Sequence, residues 1–402
     1  MLFKYIFWIC VVLLGYVYVG YPLLIHLWAR LRPRHSLERD IKPRVSILVV
    51  AHNEGHRLVR RLENLLALSY PADRFDVLVG SDGSDDGTDA LARGFRHPRL
   101  RIFSFTARRG KAAVLNDLVE AASGEILVMA DARQRFAKDA IEKLVRHFAD
   151  PAVGAVSGEL MLSQNEHGGA VGEGVGFYWR YEKLIRSDES RTDSTVGATG
   201  AIYAIRRDLF EPLPADTILD DVLIPVRIMA RGYRVLFEPD ARAYDRAAGS
   251  AAEEFTRKVR TITGNFQLLK RETWLLSPLR NRLWLQTLSH KGLRLVGPLL
   301  LAGALAANLA LLHSTFYQVM LLAQLAFYAA ALGGFILKDA HRRVRGLMVP
   351  YTVCLLNWAT VVALVRFLTQ QQGAIWEAAA PARLMPRAVT ATGGRAPTRR
   401  SA

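Results

Sequence analysis

The chain has 402 residues, with 53 Lys and Arg against 37 Asp and Glu, a formal charge of +16 and an isoelectric point near 10.1. That length exceeds one ordinary domain, and the charge calls for an anionic partner: nucleic acid, acidic lipid or a phosphorylated ligand. No zinc spacing or RNA-binding signature is present and many cations flank apolar segments, so nucleic acid is set aside in favour of a lipid bilayer.

Leu2 to Ala29 is apolar apart from Lys4 and His26, and is long enough to span a bilayer. It runs into Arg30-Leu-Arg-Pro-Arg34, which places that end in the cytoplasm. No small-residue cleavage site follows, so residues 1–30 read as a retained anchor. The two cysteines, Cys10 and Cys354, sit inside apolar runs and suggest neither a disulfide framework nor a metal cluster.

From about residue 44 to 267 the pattern becomes soluble α/β. Strands are predicted at Val45–Val50, Asp76–Gly80, Arg101–Ser104, Glu125–Ala130 and Val153–Ser157. Helices are predicted at Glu54–Leu68, Thr88–Arg93, Lys111–Ala122 and Lys138–Phe148. The alternation predicts a Rossmann-like, mostly parallel sheet with helices on both faces.

Residues 277–291 mix Trp284, Leu285 and Leu288 with Arg280, Arg282, His290 and Lys291. They read as an amphipathic helix in the membrane interface, or as an extension of the next span. A C-terminal membrane region follows over residues 293–368, with about three spans near Leu293–Leu312, Thr315–Leu337 and Leu347–Leu368. The basic loop from Lys338 to Arg345 belongs in the cytoplasm by the charge rule. Counting spans puts the basic tail outside, whereas its charge favours the inside. Residues 381–402, rich in Ala, Pro, Thr and Arg, read as disordered.

Four polar turns in the α/β region are suited to chemistry. The run Val45-Ser-Ile-Leu-Val-Val-Ala-His-Asn-Glu54 ends in Asn53 and Glu54, and the next strand ends at Asp82. Short acids and amides at neighbouring strand ends can hydrogen-bond a base edge and a ribose. Arg109-Gly-Lys-Ala-Ala-Val-Leu-Asn116 opens a helix whose first amides attract anions, with Lys111 and Asn116 expected to face a phosphate or sugar. Asp131 closes a strand and is a hard oxygen ligand suited to Mg²⁺ or Mn²⁺ beside a diphosphate. Asp220 and Asp221 are adjacent acids in an apolar setting; one can cap a helix while the other takes a proton from a hydroxyl.

In that order, these motifs resemble a family 2 glycosyltransferase of the GT-A fold, over roughly Val45 to Gln267. The flanking apolar segments resemble the membrane-embedded branch containing hyaluronan, chitin, cellulose and poly-N-acetylglucosamine synthases. The resemblance implies that Asp82 recognises the base. It also implies that Asp131 matches the first acid of an Asp-x-Asp metal motif, and that Asp221 is the base. Gly197, Thr199 and Gly200 match a loop lining the acceptor sugar. Arg260 matches the Arg of the synthases' Gln-x-x-Arg-Trp motif, with Arg257 and Lys258 beside it to receive the leaving diphosphate.

Two departures stand out. Arg133 replaces the second metal acid, which weakens metal binding by like-charge repulsion. Arg257 and Thr261 replace the Gln and Trp that accompany processive polymerisation in the synthases; Tyr178 and Trp179 can supply stacking instead. The expected protein is a multi-pass enzyme of the inner membrane with a cytoplasmic catalytic domain. It transfers sugar with inversion from a nucleotide-diphosphate sugar, expected to be UDP-linked, to a growing glycan or lipid-linked acceptor. A single-sugar transferase and a silent nucleotide-sugar-binding subunit remain alternatives. The sequence names no protein partner.

Overall fold

The structure is a computed structural model that describes residues 1–163, 170–246, 251–337 and 345–371. Residues 338–344 of the basic loop and the tail at 381–402 lie outside the described residues.

The chain enters through α1 (Leu2–Gly15), a π-helical turn and α2 (Tyr21–Leu31), which together form one 30-residue helix. The α/β region then runs β1 (Val45–Ala51), α3 (Gly55–Leu66), β2 (Phe75–Asp82), α4 (Thr88–Gly94), β3 (Leu100–Phe105), α5 (Lys111–Ala121) and β4 (Ile126–Asp131). It continues with β5 (Arg135–Phe136), α6 (Ala140–Val145), β6 (Val153–Ser163), α7 (Ala170–Thr192), β7 (Ile202–Arg206), α8 (Asp220–Ala230), β8 (Arg234–Arg246) and α9 (Ala251–Arg271).

Period-two alternation divides each central strand between two cores. Ile47 and Val49 of β1, with Val128 and Ala130 of β4, face a core that includes Leu58 and Leu62 of α3 and Ile141 of α6. Leu48 and Met129 face the other way, against Val114 and Leu118 of α5 and Val222 of α8. The eight strands lie in the order β3-β2-β1-β4-β7-β6-β8-β5. Strands β3, β2, β1 and β4 are parallel, as are β6 and β8, while β7 and β5 run against their neighbours. The mostly parallel sheet with helices on both faces is the predicted fold.

Strands β7 and β8 were not predicted. Strand β8 carries Pro239 and alternates charged residues through its second half, which disguises it as a loop. Its Arg234 is buried and donates to the carbonyls of Asp193, Ser190, Arg34 and His35, tying the segment after α2 to the sheet.

Beyond α9 lie α10 (Trp284–Gln286), a π-helical turn from Thr287 to Gly292, and α11 (Leu293–Leu295), then α12 (Gly297–Leu309), α13 (Thr315–Ile336) and α14 (Arg345–Leu368). Among the described residues three helices are long and apolar enough to cross a membrane: Leu2–Leu31, Thr315–Ile336 and Gly346–Leu368. Trp284–Leu295 and Gly297–Leu309 meet at a 60° bend and together could make a fourth span. Exposed Leu322, Trp358 and Leu368 on these helices give the apolar surface that lipid requires.

The expected interface helix at 277–291 is corrected. Helix starts only at Trp284, and Gln286, Thr287, Ser289 and His290 are buried. The polar side faces protein because acids await it there. His290 lies 2.8 Å from Glu182 and 2.9 Å from Glu189, and Tyr21 donates to Glu189 at 2.5 Å. These contacts join α2, the π-helical turn and α7 in one buried polar cluster.

Candidate active site

The parallel strands β1, β2 and β4 end at one edge, where their last residues turn out of the sheet. A cleft of about 210 Å³ opens there, lined by Glu54, Asp82, Lys111, Asp131, Asp220, Asp221 and Arg260 among others. This is the carboxyl edge at which open α/β sheets bind ligands.

Asp82 is 3% exposed and accepts the backbone N–H groups of Arg109 at 2.6 Å and Gly110 at 2.8 Å. The β2 turn is thus clamped onto the start of α5. Gly83, at φ +60°, permits the approach: a Cβ there would lie 2.6 Å from the Arg108 nitrogen. Glu54 is buried and paired with Arg57 at 3.0 Å. Asn53 sits at φ +55° and accepts from the Asp85 amide at 3.0 Å, so it shapes the rim without lining the cleft.

Lys111 bridges Asp131 at 3.1 Å and Asp220 at 3.0 Å. Burial opposes its charge, but the carboxylates of Asp131, Asp220 and Asp221 outweigh burial and push its pKa up. Asp220 is buried, and the Tyr203 hydroxyl points to it at 3.5 Å. Asp221 heads α8 beside it. Its Oδ2 accepts the Gly200 amide at 3.0 Å, and its carbonyl accepts the Ala198 amide at 2.8 Å. A Cβ on Gly200 would sit 2.8 Å from that Oδ2, so glycine is needed there. Burial first, then the charges of Asp220 and Asp131, raise the Asp221 pKa to about 6, with Lys111 and Lys291 pulling the other way. Arg260 donates to the Ile218 carbonyl at 3.4 Å, and its buried Nε has no hydrogen-bond partner among the described residues.

Several expected site residues lie elsewhere. Asn116 is spent on the backbone of Leu213, donating and accepting at 2.9 Å, and does not line the cleft. It stands five residues after Lys111, on another side of the helix. Arg257 reaches back one turn to Glu253 at 3.0 Å and lines neither the cleft nor its neighbour. Lys258, two residues from Arg260, projects away from the cleft, lying 3.7 Å from Glu254 and over the Trp179 ring. The basic triplet of α9 therefore brings only Arg260 to the cleft. The side chain of Tyr178 lies outside the described residues.

A second cavity of about 570 Å³ opens on the far side of Asp221. Leu219, Asp221 and Thr261 line both spaces. Gly197 and Trp179 belong to the second cavity, whereas Gly200 faces the cleft. Thr199 accepts from Arg186 at 2.6 Å, and Arg186 also donates to Ser157 at 2.9 Å. The Ser157 hydroxyl in turn accepts the Thr199 amide at 2.9 Å. Arg186 thus braces the loop that holds Asp221, a role with no local sequence signal. His52 and Arg108 also line the cleft; both adjoin motifs visible in the sequence.

Among the described residues no cluster of three or more His, Cys, Asp or Glu is arranged to hold a metal. Lys111 holds Asp131 through Oδ1, which leaves Oδ2 toward the cleft, and Arg133 lines the same cleft. One carboxylate fits a Mg²⁺ or Mn²⁺ ion that arrives with diphosphate oxygens, and not an ion caged by protein alone.

Comparison with known proteins agrees with this geometry. Residues 46–213 match the model of glycosyl transferase family 2. The chain is 32% identical over 207 residues to a beta-monoglucosyldiacylglycerol synthase of Synechocystis sp., covering 48% of this chain and 42% of the relative. It is 26% identical over 238 residues to poly-beta-1,6-N-acetyl-D-glucosamine synthase of Staphylococcus aureus, covering 57% and 56%. The matched stretch spans about half the length of these curated relatives. Among solved structures, the mannosyltransferase PcManGT of Pyrobaculum calidifontis, in complex with GDP-Man and Mn²⁺, shares the fold. Its TM-score is 0.69 at 24% identity, covering 91% of this chain and all of that one. The sheet, the acids at its carboxyl edge and the family match agree: residues 46–213 resemble a glycosyl transferase family 2 domain.

Proposed function

We propose that the chain is a membrane-bound inverting glycosyltransferase. It takes a sugar from a nucleotide-diphosphate sugar, expected to be UDP-linked, and passes it to a hydroxyl on a glycan or lipid-linked acceptor. The observation that carries this reading is the position of Asp221, which lines both the cleft and the second cavity.

The nucleotide occupies the cleft, its base side toward Asp82 and its diphosphate toward Lys111 and Arg260. The acceptor hydroxyl comes from the second cavity. Asp221 removes its proton as the oxygen attacks the anomeric carbon from the face opposite the diphosphate. One C–O bond forms, the C–O bond to the diphosphate breaks, and the diphosphate leaves with the electron pair toward the two cations. A pKa near 6 keeps Asp221 ionised at neutral pH while making it a better proton acceptor than an ordinary aspartate. A divalent ion held by Asp131 and the diphosphate would add positive charge at the leaving group. PcManGT, solved with Mn²⁺, supports metal use on this fold.

The anchor and the C-terminal helices support placement in the cell membrane with the α/β domain in the cytoplasm. Membranes carrying the chain, incubated with a panel of labelled nucleotide sugars, test the reading. Transfer of label from one sugar to a lipid or glycan product is expected. No transfer from any donor would remove the proposal, and product size separates single addition from polymer.

A further inference from the structure

The proposed reaction uses the second cavity only where it meets Asp221, and the rest of its lining has a composition of its own. Its walls come from the first helix at Tyr18 and Val19, and from α14 at Val349, Val353 and Leu356. Both helices are of membrane-spanning length and apolarity. Against these walls stand polar atoms without partners. Trp179 Nε1, Asn265 Oδ1 and Asn357 Oδ1 are buried and make no hydrogen bond among the described residues. Lys291, on the π-helical turn, also lines the cavity and makes no hydrogen bond or ion pair among the described residues.

The other charges nearby are engaged. Glu182 is held by His290 and Arg294, and Arg186 by Thr199 and Ser157. Glu182, Glu189 and Asp221 act on this ammonium only from a distance, and a ligand anion in direct contact would complete it. A π-helical turn inside a helix is likewise frequent at functional sites. Orphaned donors and acceptors together suit hydroxyl groups, which do both.

We infer that the acceptor is an anionic amphiphile: a lipid whose head group sets a phosphate against Lys291 and a free hydroxyl beside Asp221, with its hydrocarbon tail along α14. This rests on the transferase reading of Asp221 and adds the chemical class of the acceptor. It also couples acceptor binding to chemistry. Lys291 lowers the proton affinity of Asp221, so a phosphate that neutralises Lys291 strengthens the base when the acceptor arrives.

The test uses the full chain in phosphatidylcholine nanodiscs, with lipid binding read by native mass spectrometry. The probes are dioctanoyl phosphatidylglycerol, which carries a phosphate and free hydroxyls, and neutral dioctanoylglycerol. The wild type is expected to bind the anionic lipid about tenfold or more tightly than the neutral one, the scale of a charge-assisted bond. Lys291→Met should abolish that preference and Lys291→Arg should keep it, with nucleotide-diphosphate binding in the cleft unchanged in both. Equal binding of the two lipids by the wild type overturns the inference, as does a preference that survives Lys291→Met. Because lipid binding is read without turnover, an inactive chain that keeps the preference would sink the transferase reading and leave this site standing.

Discussion

The cleft at the sheet edge and the cavity between the helices meet at Asp221, yet they are assembled by different rules. The cleft is made of strand ends: β1, β2 and β4 lie side by side, so the residues that close them must converge. The cavity is made of residues far apart in the chain, such as Tyr18, Trp179, Lys291 and Asn357, brought together by packing of helices. Parallel-sheet topology dictates the first, and tertiary contacts alone create the second. The cleft is lined mainly by charged and polar side chains, whereas the cavity joins apolar walls to charged groups such as Glu182, Arg186 and Lys291; the proposed diphosphate and amphiphile differ in the same way.

The sharpest way to break this division is at the shared residue. Asp221→Asn should lower turnover by roughly 10²-fold or more, the scale of a lost general base, with nucleotide affinity nearly unchanged. Near-normal turnover would remove Asp221 from the chemistry and leave the two spaces unconnected.

A substitution confined to the cleft comes next. Lys111→Met strands Asp131 and Asp220 without their shared cation. Removing one partner of a buried pair costs about 3–5 kcal/mol, and the partial exposure of Lys111 reduces this to about 1–3 kcal/mol. Denaturant unfolding would read it, and an unchanged midpoint would show that the bridge holds nothing.

The pH profile then sharpens the link between the spaces. Activity needs ionised Asp221, so kcat/KM should rise with pH through about 6 and level off above it. Asp220 raises that pKa, so Asp220→Asn should move the acid limb to lower pH. The two acids interact, and the wild-type limb belongs to the pair. The sign for folding is opposite. The native state holds the Asp221 proton more tightly than the unfolded chain does, so its contribution to stability falls as pH rises from the usual aspartate range through 6. An acid limb unmoved by Asp220→Asn would contradict the electrostatic account.

Smaller effects test the supports. Arg186→Lys keeps the charge but loses the fork that holds Thr199 and Ser157 together. A fall in kcat of about tenfold, with an unchanged KM for the nucleotide sugar, is expected for a residue that positions Asp221. A rise in that KM alone would place Arg186 in donor binding instead. Chelation with EDTA should reduce activity only in part, since Lys111 and Arg260 remain beside the diphosphate. Complete, metal-reversible loss would assign the leaving group to the ion.

What could be read beforehand follows the same division. Strand ends at Glu54, Asp82 and Asp131 were visible because a buried strand is a short β-branched run and its closing turn is polar. The Asp220-Asp221 pair and Arg260 were visible from their motifs. Asn116 was misjudged because a helix start suggests, but does not specify, which side faces the ligand. Arg257 and Lys258 were grouped with Arg260 by adjacency, whereas the helix spreads three neighbours over different directions. Strand β8 was hidden by Pro239 and its alternating charges. The polarity of residues 284–292 was visible but assigned to a membrane surface, because nothing local announces that Glu182 and Glu189 will meet His290. Lys291 was hidden in the same way.

The account stands most directly on a cryo-EM structure of the full chain bound to a nucleotide-diphosphate sugar. It predicts the diphosphate between Lys111 and Arg260, with the anomeric carbon turned toward Asp221 and the opening of the second cavity. A donor whose diphosphate lies away from those cations, or whose sugar points away from Asp221, would contradict it.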